Sequence, residues 1–143
     1  EKVGFVFQDY NLLPNLTALE NVMLPMEFAG ITRIERLKRA ASLLEIVGLA
    51  KRSTHKPSQL SGGEKQRIAI ARALANNPKV ILADEPTGNL DSNNAGQIYT
   101  LFHNLAKERT VIIVTHADRL AQLADKIFYL KDGKLVRTEK NKT

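Results

Sequence analysis

Two adjacent carboxylates, Asp84 and Glu85, close a short apolar run, Val80-Ile81-Leu82-Ala83. Paired acids at the end of a buried strand suit hydrolysis. Asp84 can hold Mg2+, directly or through water, and Glu85 can orient and deprotonate an attacking water. A second group is Leu60-Ser61-Gly62-Gly63-Glu64-Lys65-Gln66. Ser61 and Glu64 have capping-box spacing, which puts both glycines in the first turn of a helix. That turn offers unpaired N–H groups and the positive end of the helix dipole, with no side chain to hold an anion away. His116 directly follows the apolar run Val111–Thr115 and can hydrogen-bond a phosphate oxygen and fix a water. Gln8 follows an alternating run, and its amide can ligate Mg2+ or water. Each feature alone also has a plainer reading: a capped helix start, two solvated acids, a helix-start histidine, a polar residue at a strand exit. His55 and His103 have no such context and receive no role.

The elements that must position these residues are legible in the periodicity. Lys2–Gln8 alternates, with Val3, Phe5 and Phe7 on one face, and reads as a strand. Thr17 and Glu20 form a capping box before a helix carrying Leu19, Val22, Met23 and Met26, made irregular by Pro25. Thr32 and Glu35 cap a second helix, with Ile34, Leu37, Ala41 and Leu44 at helical spacing, an Glu35/Arg39 pair, and Gly48 at its stop. Ala50–Gln59 reads as loop. Gly63–Asn76 is a helix with Ile68, Ala71 and Ala75 on one face. Val80–Ala83 is a strand, and Asp91 or Ser92 caps a helix to Lys107 with Ile98, Leu101, Phe102 and Leu105 in its stripe. Thr110–Thr115 is apolar and β-branched throughout, as in a strand covered on both faces of a parallel sheet. Ala117–Ala124 is a short helix. Ile127–Leu130 and Leu135–Val136 flank an Asp132-Gly133 hairpin turn, and Lys140–Thr143 is a polar tail.

The 143 residues suit one domain, and 43% hydrophobic with 25% charged residues is a globular balance. With no cysteine, disulfide and thiolate chemistry are excluded. No apolar run reaches the roughly 20 residues of a membrane helix. The formal charge is +6, from 21 Lys+Arg against 15 Asp+Glu.

The joint pattern is sharper than its parts. Gln8, LSGGEKQ, VILADE, Gly88-Asn89-Leu90-Asp91 and His116, in that order, resemble the nucleotide-binding domain of ABC transporters. LSGGEKQ resembles the family signature, VILADE the Walker B strand, Gln8 the Q-loop, GNLD the D-loop and His116 the switch histidine. The resemblance runs from about Lys2 to Arg137. It implies an α/β fold: a P-loop NTPase-like parallel sheet with helices, plus an α-helical subdomain. Residues 1–11 would hold the Q-loop strand, 12–60 the helical subdomain, and 61–143 the signature helix and the C-terminal half of the core. It also implies an ATP-hydrolysing subunit that powers a membrane transporter, with ATP and Mg2+ bound. Ser61, Gly62, Gly63 and Gln66 would contact ATP in trans, held by a second nucleotide-binding domain in a head-to-tail dimer. Glu85 and His116 would be catalytic, Asp84 and Gln8 would hold Mg2+, and Asp91 would couple the two sites. Transmembrane permease subunits would be the other partners, with the chain cytoplasmic and peripheral on the inner face of the membrane. VFQDYNLLPNLTALENVMLP and ADEPTGNLD are similar to the subgroup serving lipoprotein release, macrolide export and antimicrobial-peptide resistance; no transported substrate is indicated.

A P-loop, GxxxxGK[ST], is not found: the single Gly-Lys pair, Gly133-Lys134, is followed by Leu135. The chain also begins at Glu1 without Met. The resemblance thus suggests a domain lacking its N-terminal strands and P-loop, and the 143 residues alone are expected not to hydrolyse ATP. A DNA-maintenance ATPase of similar type would insert a long coiled coil between Gln8 and Ser61, and no sustained heptads occur there. A non-catalytic module lending its signature turn to a partner would leave Asp84, Glu85 and His116 without a task. The charge excess concentrates between Arg33 and Lys56, with seven Lys/Arg and two Glu. It is expected to meet membrane subunits and anionic headgroups, or simply to be a solvated helix face, and nucleic acid is not expected.

Overall fold

The computed structural model describes residues 3–117 and 121–141. The elements in order are β1 (Val3–Val6), α1 (Ala18–Phe28), α2 (Arg33–Ile46), two 3-10 turns (Ala50–Arg52 and Pro57–Gln59), α3 (Gly62–Leu74), β2 (Val80–Asp84), α4 (Ser92–Ala106), β3 (Thr110–Val114), β4 (Lys126–Lys131) and β5 (Lys134–Lys140). The first three strands form a parallel sheet in the order β1-β2-β3. Its register aligns Val3 with Val80 and Thr110, and Phe5 with Leu82 and Ile112. Strands β4 and β5 pair antiparallel in a separate hairpin.

The helix starts follow from their caps. Thr17, Thr32 and Ser61 each accept the N–H of the glutamate three residues on, and each glutamate side chain returns to the cap N–H. These boxes satisfy donors that the first helical turn leaves unpaired. Pro25 sits inside α1, which stays helical to Phe28. Asn21, fully buried in that helix, takes the Leu13 N–H at 2.8 Å and donates to the carbonyls of Leu13, Leu16 and Thr17, tying down the chain that leads into α1. The stretch read as loop at 50–59 is largely the two 3-10 turns.

One apolar cluster runs through the helices and the sheet, with Val22, Met26, Leu44, Ile68, Ile70, Ile81, Ile98 and Phe102 at its centre. Helix α3 is its hub: Ile68, Ala69, Ile70, Ala71 and Leu74 are all buried, and α3 packs against α1, α2, α4 and β1. Two sequence expectations fail here. In α2 the inward stripe is Ala40, Leu43 and Leu44, whereas Ile34 is 81% exposed and Leu37 and Ala41 also face out. The spacing of Ile34, Leu37, Ala41 and Leu44 is helical, but helical spacing fits more than one face, and contact with α1 and α3 chooses between them.

The second failure concerns the sheet. Val6, Ile81 and Ala83 are buried on the helix-covered face, with Val111 and Ile113 packed beside them. On the opposite face Val3, Phe5, Phe7, Ile112 and Val114 are exposed, and the rings of Phe5 and Phe7 stack 6.1 Å apart. Thus β3 is covered on one side, not both, among the described residues. The hairpin exceeds its expected length, reaching Lys126 and Lys140. Polar contacts carry it past the apolar residues: across the strands Tyr129 donates to Glu139 at 3.0 Å and Arg137 lies over the Tyr129 ring, and along β5 Arg137 pairs with Glu139. Its turn residues Asp132 and Gly133 have φ of 49° and 73°, as a two-residue type I′ turn requires. The expected helix at 117–124 includes residues 118–120, which lie outside the described residues, as do Lys2 of the expected first strand and residues 142–143 of the tail.

Candidate functional site

A parallel sheet brings the carboxyl ends of its strands to one edge, where ligands of such folds sit. Gln8 lies just beyond β1, Asp84 ends β2 with Glu85 next, and His116 follows β3. The Glu85 N–H donates to the Val114 carbonyl at 2.9 Å, so the chain after β2 leans toward β3. Glu85 has φ of +42°, a left-handed backbone that costs a branched-free side chain about 1–3 kcal/mol. Its carboxylate Oε1 accepts the His116 N–H at 2.8 Å and lies 3.4 Å from His116 Nε2. The His116 side chain is 97% exposed, so the ring is free to meet a ligand, while Glu85 is mostly shielded. Asp84 is exposed.

Gln8 is held from the side by Asn89. Gln8 Nε2 donates to Asn89 Oδ1 at 3.4 Å, and Asn89 Nδ2 donates to the Gln8 carbonyl at 3.4 Å and to Asp9 Oδ1 at 3.3 Å. The amide nitrogen of Gln8 is therefore engaged while these bonds leave its Oε1 to other partners. An exposed carboxylate and an amide oxygen at one sheet edge form a hard-oxygen donor set. It fits Mg2+, which keeps several waters or substrate oxygens and needs few protein ligands. Among the described residues no group of three or more acids and histidines forms a closed metal cage.

The glycine turn opens α3. Ser61 Oγ accepts the Glu64 N–H at 3.2 Å and Glu64 Oε2 accepts the Ser61 N–H at 2.8 Å. That Ser61 N–H, with Arg52 at 3.2 Å from the other oxygen, holds the Glu64 carboxyl below the usual value. Ser61 is exposed, Gly62 half-buried and Gly63 buried. A Cβ on Gly63 would lie 2.5 Å from Asn94 Oδ1, and one on Gly62 would lie 3.0 Å from the Tyr10 hydroxyl. Glycine is demanded here by α4 and the Gln8 loop, as well as by access to an anion. The turn meets Tyr10, Leu90 and Asn94, and it forms a group apart from Asp84, Glu85 and His116.

Two expected site residues have local tasks. Asp91 caps α4: Oδ1 accepts the Asn93 and Asn94 N–H groups at 3.0 Å each and Oδ2 accepts Asn94 Nδ2 at 2.6 Å. The Asn94 N–H is the largest cause of its lowered pKa. Gln66 was expected on ATP, but it is fully buried and donates to the Phe7 carbonyl at 3.4 Å. Five residues after Ser61, its side chain faces the β1 side of α3 and does not reach the open turn.

The basic stretch also divides. Arg36 pairs with Glu27 at 3.8 Å, Arg39 donates to the Ala75 carbonyl at 3.3 Å, and Arg52 pairs with Glu64. These three are engaged within the fold; Arg39 also lies near enough to Glu35, its expected partner, to favour that carboxylate. Arg33, Lys38, Lys51 and Lys56 are exposed. A cavity of about 460 Å3 lies beside Arg52, Glu64 and Arg67, and another of about 430 Å3 between the end of α2 and α4. Neither is lined by Gln8, Asp84, Glu85 or His116.

The sequence reading missed Tyr10, Arg72 and Asn94. Arg72 carried a signal: it is the one charge in the otherwise apolar Ile68–Leu74 run. Asn94 carried none, because its importance lies in what α3 brings against it.

Comparison with known proteins agrees with this fold. The family model described as ABC transporter matches residues 1–88. The lipoprotein-releasing system ATP-binding protein LolD of Bacteroides fragilis is 50% identical over 136 residues, covering 94% of this chain and 63% of that protein. The macrolide export ATP-binding/permease protein MacB of Rhodopirellula baltica is 54% identical over 137 residues, covering 93% of this chain and 20% of that protein. The dimeric post-hydrolysis structure of the ATP-binding cassette MJ0796 of Methanocaldococcus jannaschii, bound to ADP and Pi, superposes with a TM-score of 0.86 at 49% identity, covering all of this chain and 64% of that one. The chain spans about three fifths of the length of the curated ATP-binding proteins it matches. A strand-edge carboxylate pair beside a histidine, a capped glycine turn and these matches lead to one conclusion: the chain belongs to the ABC transporter family, as part of its ATP-binding domain.

Proposed function

We propose that this chain belongs to an ATP-hydrolysing subunit that drives a transporter at the membrane, with two such domains closing head to tail on ATP. The observation that carries the reading is the tie between Glu85 Oε1 and the His116 N–H at 2.8 Å, made across two strand ends. It fixes the carboxylate beside the exposed imidazole and leaves Oε2 to accept a proton from an attacking water. His116 Nε2 would hydrogen-bond the γ-phosphate and hold that water in line. Asp84 and Gln8 Oε1 would hold Mg2+, which when bound neutralises charge on the β- and γ-phosphate oxygens. The Ser61 hydroxyl and the Gly62 N–H would face the γ-phosphate of the partner's ATP, where the dipole of α3 favours negative charge. Asp91, by capping α4, would keep Asn94 against Gly63 and so hold the turn's shape across the dimer. Exposed Arg33, Lys38 and Lys51 would face the permease and the anionic inner membrane surface; no helix among the described residues is long and apolar enough to cross a membrane itself.

The test is Glu85→Gln in a polypeptide of the relatives' full length, reconstituted with its permease. Glutamine keeps an oxygen for the His116 N–H but is a poor base. Turnover is expected to fall by about a hundredfold or more while ATP binding persists. Retained turnover would overturn the assignment. The 143-residue chain alone is expected to show no Mg2+-dependent hydrolysis, since its sequence holds no P-loop.

A further inference from the structure

Tyr10 and Asn11, directly after the Gln8 loop begins, both have left-handed backbone, with φ of 61° and 47°. Two successive residues of this kind, neither glycine, persist only where the surroundings over-determine them. The turn's own bonds are few: Tyr10 N–H to the Phe7 carbonyl at 3.3 Å and Asn11 N–H to the Asp9 carbonyl at 2.6 Å. The rest of the constraint comes from α3. Arg72 Nη2 donates to the Tyr10 carbonyl at 2.8 Å and Nη1 donates to the Asn11 carbonyl. Gln66, on the same helix, donates to the Phe7 carbonyl. The Tyr10 hydroxyl, in turn, rests where a Gly62 side chain would be. One helix thus grips the loop from three places, and its first turn is the glycine turn itself. Burial lowers the Arg72 pKa from its ordinary value, and two main-chain carbonyls are the compensation the guanidinium receives.

We propose that Arg72 is a positioning residue: its planar fork, set on two consecutive carbonyls, fixes the Gln8 loop to α3, so that Gln8 and the Ser61–Gly63 turn move as one body. The proposal rests on the reading of Gln8 and the glycine turn as ATP-facing groups. A movement of α3 toward a partner's nucleotide would then carry Gln8 with it, and Gln8 would sense the second site without touching it. Charge alone does not achieve this. An ammonium is a single point of donation, whereas the guanidinium presents parallel N–H groups in a rigid plane.

The test compares Arg72→Lys and Arg72→Met with the parent chain by amide hydrogen exchange. Lysine keeps the charge and the buried stem, so it covers the case in which the methionine variant does not fold. Arg72→Lys is expected to speed exchange at Tyr10 and Asn11 by about tenfold or more, with the amides of α1 and β2 unchanged. Unchanged exchange in Arg72→Lys, or a uniform rise throughout the chain, overturns the proposal. In the full-length ATPase with its permease, the same variant is expected to lower kcat by about tenfold with KM for ATP held within about twofold. A loosened loop with unchanged kcat overturns the positioning role. If the parent protein hydrolyses no ATP, the functional reading of the site fails, and the exchange measurement still decides whether Arg72 holds the loop.

Discussion

Substitution of Gly63 by alanine isolates the contact between the glycine turn and α4. The new Cβ would lie 2.5 Å from Asn94 Oδ1, 2.9 Å from its Cγ and 3.3 Å from its Cβ. Asn94 has little freedom to withdraw, because Nδ2 is bound to Asp91 Oδ2 and its N–H to Asp91 Oδ1. Forcing a methyl into such a site costs about 1–3 kcal/mol. Alanine returns about 0.5–1 kcal/mol through its better helix propensity. The expected net loss in Gly63→Ala is about 0.5–2 kcal/mol, a fall in urea midpoint of about half a molar for a typical slope. In an Asn94→Ala background the two shortest contacts vanish, and the 3.3 Å contact needs only a shift of a few tenths of an ångström. There Gly63→Ala should be neutral or slightly stabilising. The assay is a double-mutant cycle from urea unfolding followed by circular dichroism, with equal slopes required for all four proteins. Additive effects within about 0.5 kcal/mol would refute the reasoning, since they would mean that Asn94 does not set the demand for glycine.

Acid should loosen the helix starts. Hydrogen bonds from Thr17, Thr32 and Ser61 hold the Glu20, Glu35 and Glu64 carboxyls below their ordinary 4.5, so this stabilisation is complete above 4.5 and is lost as pH falls through the lowered values. Urea midpoints between pH 5 and 3 should fall, and less steeply in Glu64→Gln; a flat profile in the parent chain would contradict this. Charge reversal should separate two groups of basic residues. Arg36→Glu with Arg39→Glu should lower the thermal midpoint, because both side chains are engaged within the fold. Arg33→Glu with Lys38→Glu should leave that midpoint unchanged and weaken co-purification with a permease; the reverse outcome would show that the structural partners carry no weight.

Local features were legible in the sequence because their causes are local. The three capping boxes pair groups three residues apart, and each forms as its spacing predicts. The Asp132-Gly133 turn follows likewise from residue type, and the short apolar run Val80–Ala83 forms a strand that extends to Asp84. Gln8, Ser61, Asp84, Glu85 and His116 could be named as a set because their order along the chain is itself a strong pattern. The inward face of α2 was not legible, since two apolar stripes on one helix differ only in what they meet. Nor was the open face of the sheet: Thr110–Val114 is apolar on both sides, and composition does not say whether a cover is present.

The sequence by itself determined where helices begin, which strands end in chemistry-bearing residues, and which family those residues resemble. Tertiary structure alone decided what each side chain reaches. Parallel pairing of β1, β2 and β3 sets Glu85 against His116, 31 residues away, and Gln8 against Asn89, 81 residues away. The turn of α3 sends Gln66 inward to Phe7 and leaves Ser61 exposed. The same helix puts Arg72 on Tyr10 and Asn11, and α4 puts Asn94 against Gly63. The reason is range: caps and turns are closed by bonds within a few residues, which residue type and spacing encode directly. The destination of a side chain depends on partners dozens of residues away, and only packing brings those into reach.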